Sequence, residues 1–220
     1  MEEMVYMKSQ PGNDLYHSNS SKIDYFSGMG HDWDNIVGND DERIQAITEV
    51  FEMIDLHEGS LVLDVGTGNG VLLPIIESYA GPRGKIFAVD AAPGMIERAI
   101  QKHGHYGNIT FMVGSVETVE LPEKQVDVIL CFAVFPHIDD KAAALRRFSK
   151  ILKPGGALYI FHMSDTRSLN EFHGSLDAPV KGDHMPERDE LETMLLEASF
   201  TLDQYIDRTG LNFVKAVPAT

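Results

Sequence analysis

Apolar residues along this chain gather in short runs, and stretches with apolar positions three or four apart lie between them. The short runs read as strands over 61–66, 84–90, 108–113, 125–131 and 156–162, and the periodic stretches as helices over 71–80, 94–104, 140–152 and 187–198. Alternation of this kind predicts a parallel sheet with helices on both faces. Ahead of the first strand, Ile44, Ile47, Phe51 and Ile54 fall on one face of a helix that Asp40 or Asp41 can cap. That face is expected to pack on the sheet. The far end breaks the alternation: Phe200 to Ile206 and Leu211 to Val217 are separated only by Arg208-Thr209-Gly210, so they must form an antiparallel hairpin. Residues 1 to about 22 are polar and read as a flexible arm without a core of its own.

At 220 residues the chain can bury one sizeable core, and 43% apolar with 24% charged residues is ordinary globular composition. The formal net charge of −16 is not ordinary, and it argues against nucleic acid as a partner, because phosphate binding needs clustered Lys and Arg. Cys131 is the only cysteine, which excludes an internal disulfide and fits a reducing compartment. It reads as a small buried hydrophobe rather than a catalytic thiol. Met1-Glu2-Glu3-Met4 lacks a signal-peptide core, and apolar stretches such as Val71 to Ile76 are far too short to span a bilayer. A cytoplasmic protein with no membrane partner is expected; whether it is a monomer or a homodimer stays open.

The chemistry is concentrated in Val62-Leu63-Asp64-Val65-Gly66-Thr67-Gly68-Asn69-Gly70, an apolar strand that enters three alternating glycines and then a helix. Such a loop brings backbone N–H groups and a helix N-terminus close to a ligand. A dinucleotide fingerprint would place its third glycine at Val71; here it stands one residue early, at Gly70, which weakens a pyrophosphate reading. Twenty residues later, Lys85-Ile86-Phe87-Ala88-Val89 ends in Asp90, an acid placed to accept from ribose hydroxyls. Asp90 points to a ribose but does not choose between nicotinamide and adenosyl cofactors.

Taken together, Leu61–Gly70 and Phe87–Asp90 resemble the first two motifs of the class I S-adenosylmethionine-dependent methyltransferases. Gly114-Ser115-Val116-Glu117 is similar to that family's segment after strand three, Val126–Phe132 to its fourth strand, and Leu145–Gly156 to the helix and Pro-Gly-Gly turn before its fifth. Several motifs in the right order are far more specific than one glycine loop. The resemblance implies a Rossmann-like three-layer α/β/α fold, with a seven-stranded, mostly parallel sheet of order 3-2-1-4-5-7-6 whose strand 7 is antiparallel. It implies a methyltransferase domain over residues 36–220 that uses S-adenosylmethionine and releases S-adenosylhomocysteine, with residues 1–35 as an arm and lid. It also implies that Asp64, Gly66, Thr67, Gly68 and Gly70 hold the methionine end, and Asp90 and Ala91 the ribose. Met95, Ser115, Val116 and Glu117 fall to the adenine, with Cys131 and Phe132 beside the cofactor. Where this chain has Ser115 the family often has an acid, so adenine recognition leans on the backbone of Val116 and on apolar packing. Asp64 is open to two readings, a contact to the cofactor or a strand-end acid bonding nearby backbone.

The acceptor side is less marked. His137, in the loop after the fourth strand, suits a general base near neutrality but also a helix-start hydrogen bond. His162 ends the fifth strand. The insertion over 163–186 is too long for a simple connector and reads as a lid over the acceptor. With His162, its His173 and His184 could bind a divalent metal, although no compact ligand spacing is present. Tyr25–Trp33 carries three aromatics and reads either as an acceptor wall or as an anchor to the core. The expected activity is methyl transfer to a small molecule by in-line displacement. Its rivals are a metal-assisted methyltransferase, a dehydrogenase, and a non-catalytic domain that binds an adenosyl cofactor or another nucleotide.

Overall fold

The computed structural model describes residues 20–29, 41–121 and 123–219. Seven strands form one mixed sheet: β1 (Leu61–Val65), β2 (Lys85–Asp90), β3 (Ile109–Val113), β4 (Val126–Phe132), β5 (Leu152–His162), β6 (Phe200–Arg208) and β7 (Leu211–Pro218). Their order is β3-β2-β1-β4-β5-β7-β6, as the resemblance implies. The chain divides into two compact units, residues 1–120 and 121–220.

In the first unit β2 pairs in parallel with both β1 and β3. Four of the five β1 residues are buried, the sign of a strand covered on both faces. Helix α2 (Asp41–Phe51) follows α1 (Ser20–Met29) in the sequence and carries Asp41 and Glu42 in its first turn, where negative charge complements the helix dipole. It buries Ile47, Val50 and Phe51; Ile44 is only half-buried, and Ile54 is buried beyond the helix end. Helices α3 (Leu73–Ala80) and α4 (Pro93–His103) each take a proline in the first turn, where no N–H is missed. Helix α1 is not announced by its sequence, whose apolar residues form no clear stripe. It packs against α4 through a local gap: a Cβ on Gly94 would stand 2.5 Å from the Ser27 carbonyl oxygen. Tyr25 and Phe26 meet edge to face at 5.3 Å. Residues 1–19 of the expected arm, Gly30–Trp33 of the expected wall and the Asp40 cap lie outside the described residues.

In the second unit β4 and β5 run parallel. The Pro154-Gly155-Gly156 segment, expected as a turn that precedes the strand, lies inside β5: Leu152 already pairs with Val126, and the register shifts between Val126 and Val128. A bulge absorbs the extra residues, with Gly155 at φ 82°. A Cβ on Gly156 would stand 2.7 Å from the Asp127 carbonyl oxygen and 3.0 Å from that of Val126, so the strands can approach only because this side chain is absent. Gly156→Ala is expected to destabilise by about 1–3 kcal/mol, lowering the melting temperature by several degrees in a thermal melt. Helix α5 (Lys141–Ile151) is capped by Asp140, whose Oδ1 accepts from the Ala143 N–H at 2.8 Å.

β7 runs antiparallel to both β5 and β6, and the two-residue turn Thr209-Gly210 closes the hairpin with Gly210 at φ 82°. The 163–186 insertion is not an open loop. It begins with helix α6 (Thr166–Ser175), capped by Asp165, which accepts from the backbone N–H and the hydroxyl of Ser168. The Asn170 side-chain amide then holds the returning chain at Met185 from both sides: the Met185 N–H donates to its Oδ1 at 2.8 Å and its Nδ2 donates to the Met185 carbonyl at 3.0 Å. Helix α7 (Arg188–Glu197) follows and lays Arg188 over the Tyr205 ring, 5.2 Å from its centre.

Candidate functional site

The turn after β1 is built by its glycines. Gly66, Gly68 and Gly70 have φ of 65°, 56° and 87°, the left-handed region that side-chain-bearing residues avoid. Gly70 is required twice, since a Cβ there would stand 2.5 Å from Cδ2 of His103 on α4 and 2.9 Å from the Leu73 side chain. Its neighbours are braced by β2: the Thr67 N–H donates to the Val89 carbonyl at 3.0 Å and the Gly68 N–H to Asp90 Oδ2 at 2.9 Å. Asp90 Oδ1 accepts the Ala92 N–H at 2.8 Å. One carboxylate thus ties the glycine loop to the turn before α4.

Asp64 lies behind this loop, buried, and accepts the Thr67 hydroxyl at 2.6 Å. Burial lifts its carboxyl from 3.8 to about 7; the Thr67 bond opposes the rise and the Asp90 charge adds to it. Of the expected cofactor residues, Gly66, Gly68, Asp90, Ala91, Ser115 and Glu117 keep partly exposed surface, whereas Thr67, Gly70, Met95 and Val116 are buried. The Ser115 hydroxyl accepts from the Glu117 N–H at 3.4 Å, and its carbonyl takes the N–H groups of Thr118 and Val119 at 3.0 and 2.9 Å, so this residue shapes the turn after β3. These observations fit a nucleoside: left-handed glycines bring backbone close, and a partly exposed carboxylate ends the second strand.

In the second unit Phe132 stacks on Phe161 at 4.9 Å. Cys131 is 0% exposed, so its side chain belongs to the core of the sheet, in keeping with its reading as a small buried hydrophobe. His137 and His162, separated by 25 positions in the numbering, come together with His173 and Asp183. His137 Nδ1 stands 2.7 Å from Asp183 Oδ2. The expected metal set of His162, His173 and His184 does not assemble: His184 is exposed while the other two are buried, and among the described residues no group of three His, Cys, Asp or Glu is arranged to hold a metal ion. Asp183 is one of the aspartates that flank the insertion's histidines, but its pairing with His137 is not expected from the sequence; it lies between Val180 and Met185, two apolar positions that are both buried.

The sequence model of the family described as "Methyltransferase domain" matches residues 63–160, from the middle of β1 to near the end of β5. Over these residues the chain is similar to S-adenosylmethionine-dependent methyltransferases. A mitochondrial ubiquinone biosynthesis O-methyltransferase of Schizosaccharomyces pombe is 31% identical over 158 residues, 66% of this chain and 56% of that protein. The chain therefore spans just over half the length of this curated relative. Among solved structures, an Aquifex aeolicus SAM-dependent methyltransferase aligns with a TM-score of 0.60 at 23% identity, covering 80% of this chain and 97% of that one. A Haemonchus contortus phosphoethanolamine N-methyltransferase, solved with phosphomonomethylethanolamine and S-adenosylhomocysteine, aligns with a TM-score of 0.71 at 15% identity over 90% of this chain and 59% of that one. At these identities the structures establish the fold. S-adenosylmethionine is the cofactor named for the Aquifex aeolicus protein that this chain resembles.

Proposed function

We propose that this chain transfers the methyl group of S-adenosylmethionine to a small-molecule acceptor by in-line displacement. The observation that carries the reading is Asp90, whose carboxylate braces Gly68 and Ala92 while staying partly exposed at the end of β2. When bound, the cofactor supplies a sulfonium methyl, a strong electrophile, so the protein's main task is alignment, which can contribute on the order of several kcal/mol. Gly66, Gly68 and Gly70 hold the methionine end, Asp90 and Ala91 the ribose, and Ser115, Val116 and Glu117 the adenine. His137 and His162 are the acceptor-side residues, at or just beyond the carboxyl ends of β4 and β5, where ligands of open α/β sheets bind. A small acceptor is supported by the relative named for ubiquinone biosynthesis and by the net charge of −16, which disfavours polyanions. Among the described residues no helix is long and apolar enough to cross a membrane, and we place the activity in the cytoplasm.

Calorimetric titration with S-adenosylmethionine, followed by mass-spectrometric detection of methyl transfer across a broad acceptor panel, tests the reading. Micromolar binding with transfer is expected. Folded protein that does not bind the cofactor would overturn the proposal, and binding without transfer to any acceptor would favour a non-catalytic adenosyl-binding domain.

A further inference from the structure

Within residues 121–220, one polar row crosses three strands at the end of β5. His162, the last residue of β5, pairs with Asn212 of β7, and Asn212 pairs in turn with Asp207 of β6. Residues opposite one another in a ladder put their side chains on the same face, with Cβ atoms about 4.5–5.5 Å apart. The first turn of α6 is fastened over this row: the Thr166 N–H donates to Asp207 Oδ1 at 2.9 Å, and Asn212 Nδ2 donates to the Thr166 hydroxyl at 3.1 Å. His162, Asn212 and Thr166 are 3%, 0% and 1% exposed. Two atoms of the row are left over. Asn212 Oδ1 and His162 Nε2 are buried and have no hydrogen-bond partner among the described residues. A buried polar atom without a partner is destabilising, and two of them at paired positions call for one shared occupant.

We infer that His162 and Asn212 form a binding subsite for an uncharged hydroxyl group of a small-molecule ligand. The subsite lies within residues 121–220 and goes beyond the methyl-transfer reading, on which it does not depend. An amide oxygen only accepts, so the ligand group must carry a proton donor, which carbonyl and ether oxygens lack. A hydroxyl donates its one proton to Asn212 Oδ1 and keeps lone pairs for an N–H at His162 Nε2. The ring holds no charge near neutrality, because burial, with the charges of His137 and His173, pushes it down to about 3. A charged ligand is poorly served here. The carboxylates around the row are engaged, Asp183 with His137 at 2.7 Å and Asp207 with the Thr166 N–H. An ammonium would exchange its water for one amide oxygen, and an anion would meet two carboxylates. His162 lies at the carboxyl end of β5, where ligands of open α/β sheets bind. Both atoms are covered, so the ligand enters while the first turn of α6 is raised, and its hydroxyl makes the bonds that the closed chain leaves unmade.

The test uses the whole chain and three probes built on one carbon frame: 2-propanol, acetone and isopropylammonium. Their binding is followed in ¹⁵N–¹H correlation spectra at about pH 7, through the His162 ring and the Asn212 side-chain amide, assigned by their loss in His162→Phe and Asn212→Leu. 2-Propanol is expected to shift both to saturation, with the His162 ring as the Nε2–H tautomer in the complex. Acetone cannot donate and isopropylammonium is charged, so each is expected to bind at least about tenfold more weakly. In His162→Phe the Asn212 amide is expected to report an affinity for 2-propanol lower by about tenfold or more. Should that variant fail to fold, the three-probe series on the wild type decides. Shifts that grow without saturating, equal affinity for acetone, or an Nδ1–H tautomer in the 2-propanol complex would each overturn the assignment. S-adenosylmethionine enters no arm of the experiment, so failure of the methyl-transfer reading leaves its outcome standing.

Discussion

Asp90→Ala is expected to reduce S-adenosylmethionine affinity by at least about 100-fold, since each hydrogen bond to a charged group contributes roughly 1.5–3 kcal/mol and the carboxylate is asked to hold both ribose hydroxyls. Part of the loss comes from the free protein. Without Asp90 the N–H groups of Gly68 and Ala92 lose their acceptors at 2.9 and 2.8 Å, and the glycine loop is no longer tied to the turn that starts α4. Calorimetry with S-adenosylmethionine and S-adenosylhomocysteine separates the contributions. Both ligands carry the ribose, so both should weaken together; a variant that binds either one as tightly as the wild type would remove Asp90 from the site.

Asp64→Asn is expected to stabilise the free protein at pH 8 and to weaken its hold on the cofactor. Folding raises the Asp64 carboxyl from 3.8 to about 7 because the group is buried. Between those values the folded chain keeps a proton that the unfolded chain has released. The contribution of Asp64 to stability is therefore fully present below about pH 4 and is lost as pH rises through 7. Above that, the native state holds a buried carboxylate, at a cost bounded by about 4 kcal/mol if nothing relaxes. Asparagine keeps the shape and the acceptor for the Thr67 hydroxyl without the charge. A gain of about 1–2 kcal/mol at pH 8, several degrees in melting temperature, is expected, shrinking to nothing near pH 4. Cofactor binding should show the opposite preference. A cationic ligand at the loop favours the ionised acid, so wild-type affinity should climb from pH 6 to pH 8 with release of a proton, and the variant should show a flat profile. A wild-type affinity that does not change over that range would show that Asp64 is insulated from the ligand.

How much of this could be read from the chain depended on whether the signal was local. β1 and its loop were legible because an apolar run followed by Gly66, Gly68 and Gly70 allows little else, and all three glycines do take left-handed conformations. The sheet order was legible only through the resemblance, since parallel strands leave no local mark of their neighbours. The start of β5 was missed because Pro154-Gly155-Gly156 has turn chemistry; the strand tolerates it as a bulge beside Asp127. α1 was missed because Ser20–Met29 has too few apolar positions to draw a stripe, and its seat on α4 depends on what Gly94 lacks. Asp183 was the hardest to see. It reaches His137 across 46 positions, by a route set by the Asp165 cap of α6 and the Asn170–Met185 clasp, and neither is a periodic feature.

The lone cysteine has a practical consequence. Cys131 pairs with Ile160 in the interior of β4 and β5 and has no exposed surface. A thiol dye can meet it only when those strands part, so with opening and reclosing fast relative to the dye, the labelling rate gives the population of the opened state directly. At a fixed pH near or above neutrality, where the exposed thiol reacts, the molecule carries a built-in reporter that needs no engineered label and can rank each substitution proposed above on one scale.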